Sequence, residues 1–581
     1  MDCKITIFFI GFVIGPCLFA EPTEDQIVRR VHDHLLIRDV SSAIEEAKNS
    51  VYCYPDSLKI HQVYLESLCQ KGEEFEALEQ FSSFWTKQGD EKNRRLVSEW
   101  LAWGTLRSGE NSPLFLVRLY SLLGTALTQD AKALPLLLKE MRGSNAFLRS
   151  LAVRLSMNYG DQPLQKELLR LLQEEKVWFV RLEVMRAVGA LKIKEARGYL
   201  QNILVSQKTL AEEKAAAILA LVNTYDQIDK KELHLLLQSN RAGLRHLGSE
   251  IMAHLECKEE AEELLPLLMD ASPDVRISAM NTLGLLQVKE IHSQPTVSYL
   301  KENLSHTTPS ISITAGWLAA VLGQAEGKAI LKGWLESPRL ETRRLACAAV
   351  AVLGPFGLDL LVDRIQKEED LYAQVNLALG LIGQRKELAK ALDVLFLALQ
   401  EPKKELWMWD AEENPLFRTL NKSTVRHMDQ IPRYPQVVDH LTRLELFSIL
   451  SMLKYPKALE AVKSFLKKQD FGVTGAAAAI LLQEGDDASI FHVQELLQDS
   501  DEQVRIQAAL LLGVLGRDPL AIDTLIASYA GAGRDLKIHI LEALGYIGDP
   551  KAIPFLIEVL KEPFQGLRVV SASALIQCLY H

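Results

Sequence analysis

Along most of this chain apolar residues recur at intervals of three and four, the period of amphipathic helices and not of strands. Two stretches near the end set out the pattern in full. Asp501-Glu-Gln-Val-Arg505-Ile-Gln-Ala-Ala-Leu-Leu-Leu-Gly513-Val-Leu-Gly516-Arg-Asp518-Pro519 is followed by Asp535-Leu-Lys537-Ile-His-Ile-Leu-Glu-Ala-Leu-Gly545-Tyr-Ile-Gly548-Asp549-Pro550. The frame is a basic residue, glycines eight and eleven residues later, an Asp-Pro step and a second apolar helix. Upstream the basic position falls at Arg149, Arg181, Lys214, Arg245, Arg276, Ser312, Arg343 and Tyr372, spaced 29 to 36 residues apart, and it returns at Arg505, Lys537 and Arg568. Two more units, Leu441–Asp470 and Phe471–Asp499, fit the length but lack the basic residue. Glycine after a helix is expected as a left-handed cap, and Asp-Pro as the start of the next helix. Such a hairpin cannot bury its own apolar face, so copies must stack. The pattern predicts an all-α chain folded as an α-α superhelix.

The motif Asp-x-x-Val-Arg-x-x-Ala…Leu-Gly-x-x-Gly-Asp-Pro-x-Ala-Ile-Pro-x-Leu resembles HEAT repeats, in particular the short repeats named after phycobiliprotein lyases. The resemblance covers residues 126–403 and 441–581. It implies a HEAT/armadillo-like solenoid, and a polar ladder of turn aspartates and helix arginines for which Asp270/Arg276 and Asp499/Arg505 stand at the matching positions. It leaves function open, because scaffolds, adaptors and enzymes share the repeat. Residues 21–125 lack the frame but read as helices. Ser41-Ser42 before Glu45-Glu46 gives a capped start, and Tyr54-Pro55-Asp56 a turn. These hairpins loosely resemble tetratricopeptide repeats. They are expected to extend the same solenoid, with Trp85, Trp100 and Trp103 packed between them.

The register breaks once, at residues 404–440. This insertion carries Trp407, Trp409, Phe417 and Tyr434 with Pro415, Pro432 and Pro435. Long loops on rigid scaffolds often carry binding, and aromatic side chains anchor interfaces. Trp407, Trp409, Phe417 and Tyr434 are therefore the candidate partner-binding residues. The alternative is that they pin the loop to the chain's own groove.

The first twenty residues have a different pattern. Lys4 precedes an apolar run from Ile5 to Phe19, and Ala20 is followed by Glu21-Pro22 and charged sequence. This is the layout of a secretory signal at residues 1–20. An uncleaved membrane anchor is the alternative. Cys17 follows the run, but Pro16 stands where a lipobox has a small residue. The expectation is a bacterial exported protein, periplasmic or envelope-associated. The rest of the composition fits an ordered chain of 581 residues, 48% hydrophobic, with a formal charge of −10. That acidity speaks against nucleic acid as a partner. Cys53, Cys69, Cys257, Cys347 and Cys578 are scattered and give neither zinc spacing nor a disulfide framework.

Catalytic patterns are sought and not found. His32 and His34, two residues apart, point about 200° apart on a helix and cannot share a metal. His246 and His254 lie eight apart on one helix. None of the thirteen histidines is followed by Glu, unlike the iron-binding pairs of deoxyhypusine hydroxylases. There is no nucleophile elbow, P-loop or dinucleotide fingerprint. No metal, cofactor or catalytic residue is assigned. The sequence thus points to a non-catalytic protein-interaction scaffold in an exported compartment. The competing readings are a lyase-like enzyme or specificity subunit, and a membrane-anchored component of an envelope assembly.

Overall fold

The computed structural model describes residues 22–85, 91–400, 407–411, 413–422, 494–513 and 518–580, with positions 442, 446, 449, 450, 452, 453 and 455–457. The expected leader, Tyr434 and most of the two units expected over 441–499 lie outside the described residues. The N-terminal helices are α1 (Glu24–Leu36), α2 (Val40–Cys53), α3 (Leu58–Lys71), α4 (Glu74–Gln80), α5 (Glu91–Glu110) and α6 (Phe115–Leu127). Hairpins follow: α7 (Leu134–Met141) with α8 (Ala146–Ser156), α9 (Gln162–Glu174) with α10 (Trp178–Ala190), α11 (Arg197–Val205) with α12 (Ala211–Thr224), and α13 (Lys230–Leu237) with α14 (Ala242–His254). Then come α15 (Pro273–Leu285), α16 (Lys301–Leu304), α17 (Pro309–Val321), α18 (Ala325–Leu335), α19 (Leu340–Ala351), α20 (Leu358–Arg364), α21 (Leu371–Gly383) and α22 (Leu388–Gln400). The C-terminal units hold α23 (Glu502–Leu511), α24 (Ile522–Tyr529), α25 (Arg534–Ile547), α26 (Ile553–Val559) and α27 (Gln565–Tyr580). The chain is an all-α superhelix. Among the described residues its sheet is confined to two antiparallel hairpins, β1 (Glu290–Ile291) with β2 (Gln294–Pro295) and β3 (Trp407–Asp410) with β4 (Thr419–Lys422).

The frame has a physical meaning at each position. The register arginine turns back to the carbonyl six residues earlier: Arg149 donates to Gly143 O (2.9 Å), Arg245 to Ser239 O (2.7 Å), Arg343 to Ser337 O (2.8 Å) and Arg568 to Glu562 O (2.8 Å). Its remaining N–H groups reach a carboxylate of the next unit. The rungs are Arg149–Glu175 (2.9 Å), Arg181–Glu213 (2.7 Å), Arg245–Asp270 (2.6 Å) and Arg343–Glu368 (3.2 Å). The rungs of this ladder run between units. Arg276 donates to the backbone carbonyl of Asp270, whose carboxylate belongs to Arg245, and has Glu302 of the next unit at 3.8 Å; Arg505 donates to Asp499 O. Burial alone would push the Asp270 carboxyl up, but the bonds from Arg245 and the Ser272 N–H outweigh it and hold the group below its usual range.

Eleven residues past most register positions the backbone is left-handed, Tyr225 after Lys214 being extended. The left-handed residues are Gly160, Gly323, Gly354 and Gly548, and also Gln129, Lys192, Glu256, Gln287 and Arg385. Two expectations shift accordingly. In α21 the register residue is Gln374 and not Tyr372, because Gln374 Nε2 donates to Glu368 O, six residues back, and Arg385 lies eleven residues on. The frame also begins one unit earlier, at Arg118 in α6, whose left-handed residue is Gln129. The glycine eight past the register has a different task. A Cβ on Gly189 would meet Ala220 Cα at 2.7 Å, so that glycine admits the neighbouring helix.

The two ends of the described chain meet. α27 packs against α25 on one side and against α5 and α6 on the other. It buries every residue from Gly566 to Ile576. One apolar cluster joins Ile27–Val117 to Leu496–Leu579. At Arg568 the carboxylate comes from the N-terminal helices. Glu74 of α4 accepts from Arg568 Nη2 at 2.7 Å and Nε at 3.2 Å, with both side chains 4–5% exposed. Arg568 also lies 4.7 Å from the Phe75 ring. Ser573 Oγ donates to Gly124 O at 3.0 Å, and Tyr580 donates to Glu99 at 2.5 Å. The N-terminal helices are thus not a plain end of the stack: α5 and α6 stand between α27 and α8. α1–α4 pack beside them, and Trp85 and Trp103 are buried there as expected.

Two outcomes follow from this geometry. Arg568→Met strands the Glu74 carboxylate and should cost about 3–5 kcal/mol in urea unfolding, much of it recovered in the Arg568→Met/Glu74→Met double variant. A loss within experimental error for the single variant would mean the ends do not meet. Lys192→Gly and Arg385→Gly should each stabilise by about 0.5–1 kcal/mol in thermal melts, since they relieve left-handed side chains at some cost in chain entropy. A lowered melting temperature in both would refute the common frame.

Candidate protein-interaction surface

On each register helix, the positions two before, two after and five after the register residue are four and three apart, so they share one face. In α15 and α17 that face is covered by the chain's own insertion. Asn281, five after Arg276, exchanges two amide hydrogen bonds with Asn414 (3.0 and 3.1 Å). Thr314 Oγ1 accepts from Asn414 Nδ2 at 2.9 Å, and Trp317 meets Phe417 edge-on at 5.6 Å. The covering extends over α19 and α21. Arg344 forks onto Asp370 (2.7 and 2.8 Å), stacks on Tyr372 at 4.4 Å and donates to Asn421 at 3.0 Å. Trp407 meets Tyr372 edge-on at 6.1 Å. The β3–β4 pairing, from Trp407 opposite Lys422 to Asp410 opposite Thr419, holds this hairpin flat across four helices.

This places the sequence candidates. Trp407 and Phe417 are 2% and 1% exposed and face inward, where no partner reaches them. They pin the insertion to the chain's own helices because Tyr372 and Trp317 offer apolar faces there. Trp409 is half-buried, with Arg418 over its ring at 5.2 Å, and borders solvent. Tyr434 lies outside the described residues.

Among the described residues the same face continues uncovered over α8, α10, α12 and α14. Its edge begins with Phe147 and Phe179, whose rings are 5.4 Å apart; Phe147 is 54% exposed. Five positions after the register stand Arg154, Arg186, Leu219 and Glu250. Arg154 and Arg186 share a single carboxylate, Glu183. Its oxygens accept from Arg154 Nε at 2.7 Å, Arg154 Nη2 at 3.1 Å and Arg186 Nη1 at 2.7 Å. Glu183 is 3% exposed while the two arginines are 40% and 60% exposed. Leu219 is 67% exposed. Glu250 accepts from Ser278 Oγ at 2.7 Å and has His246 at 3.4 Å; these contacts outweigh its burial and keep its carboxyl below the usual range. None of these residues was singled out in the sequence. The signal was there, in the positions five past each register residue.

Other chemistry is sparse among the described residues. No three His, Cys, Asp or Glu side chains are placed to hold a metal ion, and no helix is long and apolar enough to cross a membrane. Cys69, Cys347 and Cys578 are buried and unbridged, and burial pushes their thiols up, that of Cys578 to about 12. His32 and His34 go separately to Glu66 and Glu46.

Comparison with known proteins bears on the repeat alone. The family model of HEAT repeats matches residues 491–576. No curated protein matches the chain. Among solved structures, Kap121p aligns at 10% identity over 96% of this chain and 74% of its own, with a TM-score of 0.32. Kap95p, from a structure with RanGDP, aligns at 12% identity over 93% and 81%, TM-score 0.34. Human deoxyhypusine hydroxylase aligns at 16% identity over 47% of this chain and 98% of its own, TM-score 0.21. These superpositions are loose, and the fold rests on the helices themselves. Residues 491–576 thus match the HEAT-repeat family, the same arginine frame runs upstream of them, and the chain folds as a HEAT/armadillo-like α-solenoid.

Proposed function

We propose that the chain is a non-catalytic protein-binding scaffold of an exported compartment, and that its partner lies as an extended segment across α8, α10, α12 and α14. One observation carries this reading: among the described residues a single face of the register helices is half occupied by an extended hairpin of the chain and half bare, with Leu219 and Phe147 exposed on the bare half. Repeat solenoids commonly use such continuous faces to hold extended partners. Trp409, at the border of the hairpin, is the insertion residue best placed to add a contact. The leader pattern from Lys4 to Ala20 supports the compartment.

The test is affinity capture from the exported compartment, followed by amide exchange on the purified complex. The partner should slow exchange in α8–α14, and Leu219→Arg should weaken capture about tenfold or more at unchanged helicity. Protection confined to other helices, with capture indifferent to Leu219→Arg, would overturn the reading.

A further inference from the structure

Resting on that reading, we infer that the bare face selects an acidic extended segment, one that sets a carboxylate over Arg154 and Arg186 and an apolar side chain about three residues away over Leu219. The charge count is the first reason. Over α8 and α10 two guanidinium groups are served by one carboxylate, and that carboxylate is buried beneath them. Arg186 spends one of its five N–H donors on Glu183 among the described contacts, and it is 60% exposed. A second carboxylate can be bound there by charge-assisted bonds without displacing Glu183.

Continuity is the second reason. The covered half is occupied by the extended β3–β4 hairpin, which sets Trp407 against Tyr372 and, through Asn421, links Asp410 to Arg344. The bare half repeats those elements in the receiving sense, with an aromatic pair, Phe147 and Phe179, at one edge and arginines further along the same helices. The spacing follows from the stack. Neighbouring helix axes lie about 8–10 Å apart, and an extended chain advances about 3.3 Å per residue, so crossing from α10 to α12 takes about three residues. The face also sets a direction. Beyond Leu219 it carries the Glu250 carboxylate, and Glu212 is exposed on α12, so the acidic end of the segment belongs over α8 and α10.

The test uses the full chain and short synthetic peptides in a Gly/Ser background, titrated by calorimetry. One peptide carries Glu and Phe three residues apart; one has Lys in place of Glu; one has Ala in place of Phe. The Glu/Phe peptide should bind, more weakly at high salt, and both controls should fall at least about tenfold. Arg186→Ala leaves the Arg154–Glu183 fork in place and should cost the Glu/Phe peptide about tenfold. The triple variant Arg154→Gln/Glu183→Gln/Arg186→Gln keeps a neutral polar site and should abolish the preference for Glu over Lys, while circular dichroism confirms the fold. Equal binding of the Lys peptide, or indifference to Arg186→Ala, would overturn the acidic assignment and leave the scaffold reading standing. Absence of peptide binding while the captured partner still protects α8–α14 would overturn it in the same way. Loss of both peptide binding and that protection would overturn the scaffold reading too.

Discussion

A buried guanidinium needs a carboxylate, and at four register positions of this solenoid the carboxylate comes from the next unit. Arg149, Arg181, Arg245 and Arg343 are each satisfied in this way. The requirement becomes acute at Arg568, which is 4% exposed. An unpaired charge at that depth would cost several kcal/mol. Glu74 supplies the carboxylate, and the helices around it supply the apolar cover that α27 would otherwise lack. Linear repeat arrays end in units with a polar outer face. Here each end of the described chain serves as the other's cap, which is why α27 is buried almost throughout.

That closure fixes which surfaces stay open. The register helices turn a common face away from the second row of helices. Over α15, α17, α19 and α21 this face is filled by the hairpin from Trp407 to Lys422. Polar side chains that would suit solvent, Asn281 and Thr314, are buried there and find their partners in Asn414. Over α8, α10, α12 and α14 the equivalent positions keep arginines, a leucine and an aromatic pair in the open. The difference between the two halves is chemical as well as spatial, and it points the search for a partner to one stretch of one face.

Much of this was legible in the chain. The three- and four-residue periodicity gave the helices, and the Arg/Gly frame gave the stack and its count of residues per unit. Other features depend on contacts the pattern does not encode. Tyr372 matched the frame only because Gly380 and Gly383 stand eight and eleven residues after it; the backbone bond of Gln374 and the left-handed Arg385 set the register two residues later. The resemblance marks Asp270 and Arg276 as ladder positions but does not say which aspartate or glutamate serves which arginine. Geometry carries each side chain to its neighbour. Aromatic content marked the insertion as a contact surface, but composition does not say whether Trp407 and Phe417 face a partner or the chain's own Tyr372 and Trp317. The pairing of Glu74 with Arg568, 494 residues apart, left no local trace.

The most direct measurement is a cross-link over the seam between α6 and α27. A Cβ on Gly124 would lie 2.9 Å from the Ser573 Cβ, close enough for a disulfide after a small relaxation. In the Gly124→Cys/Ser573→Cys variant, oxidation of the dilute chain followed by peptide mass mapping should give an intramolecular bond between residues 124 and 573 and a raised melting temperature. Free thiols at both positions, or cross-links only between separate chains, would contradict a solenoid whose ends meet.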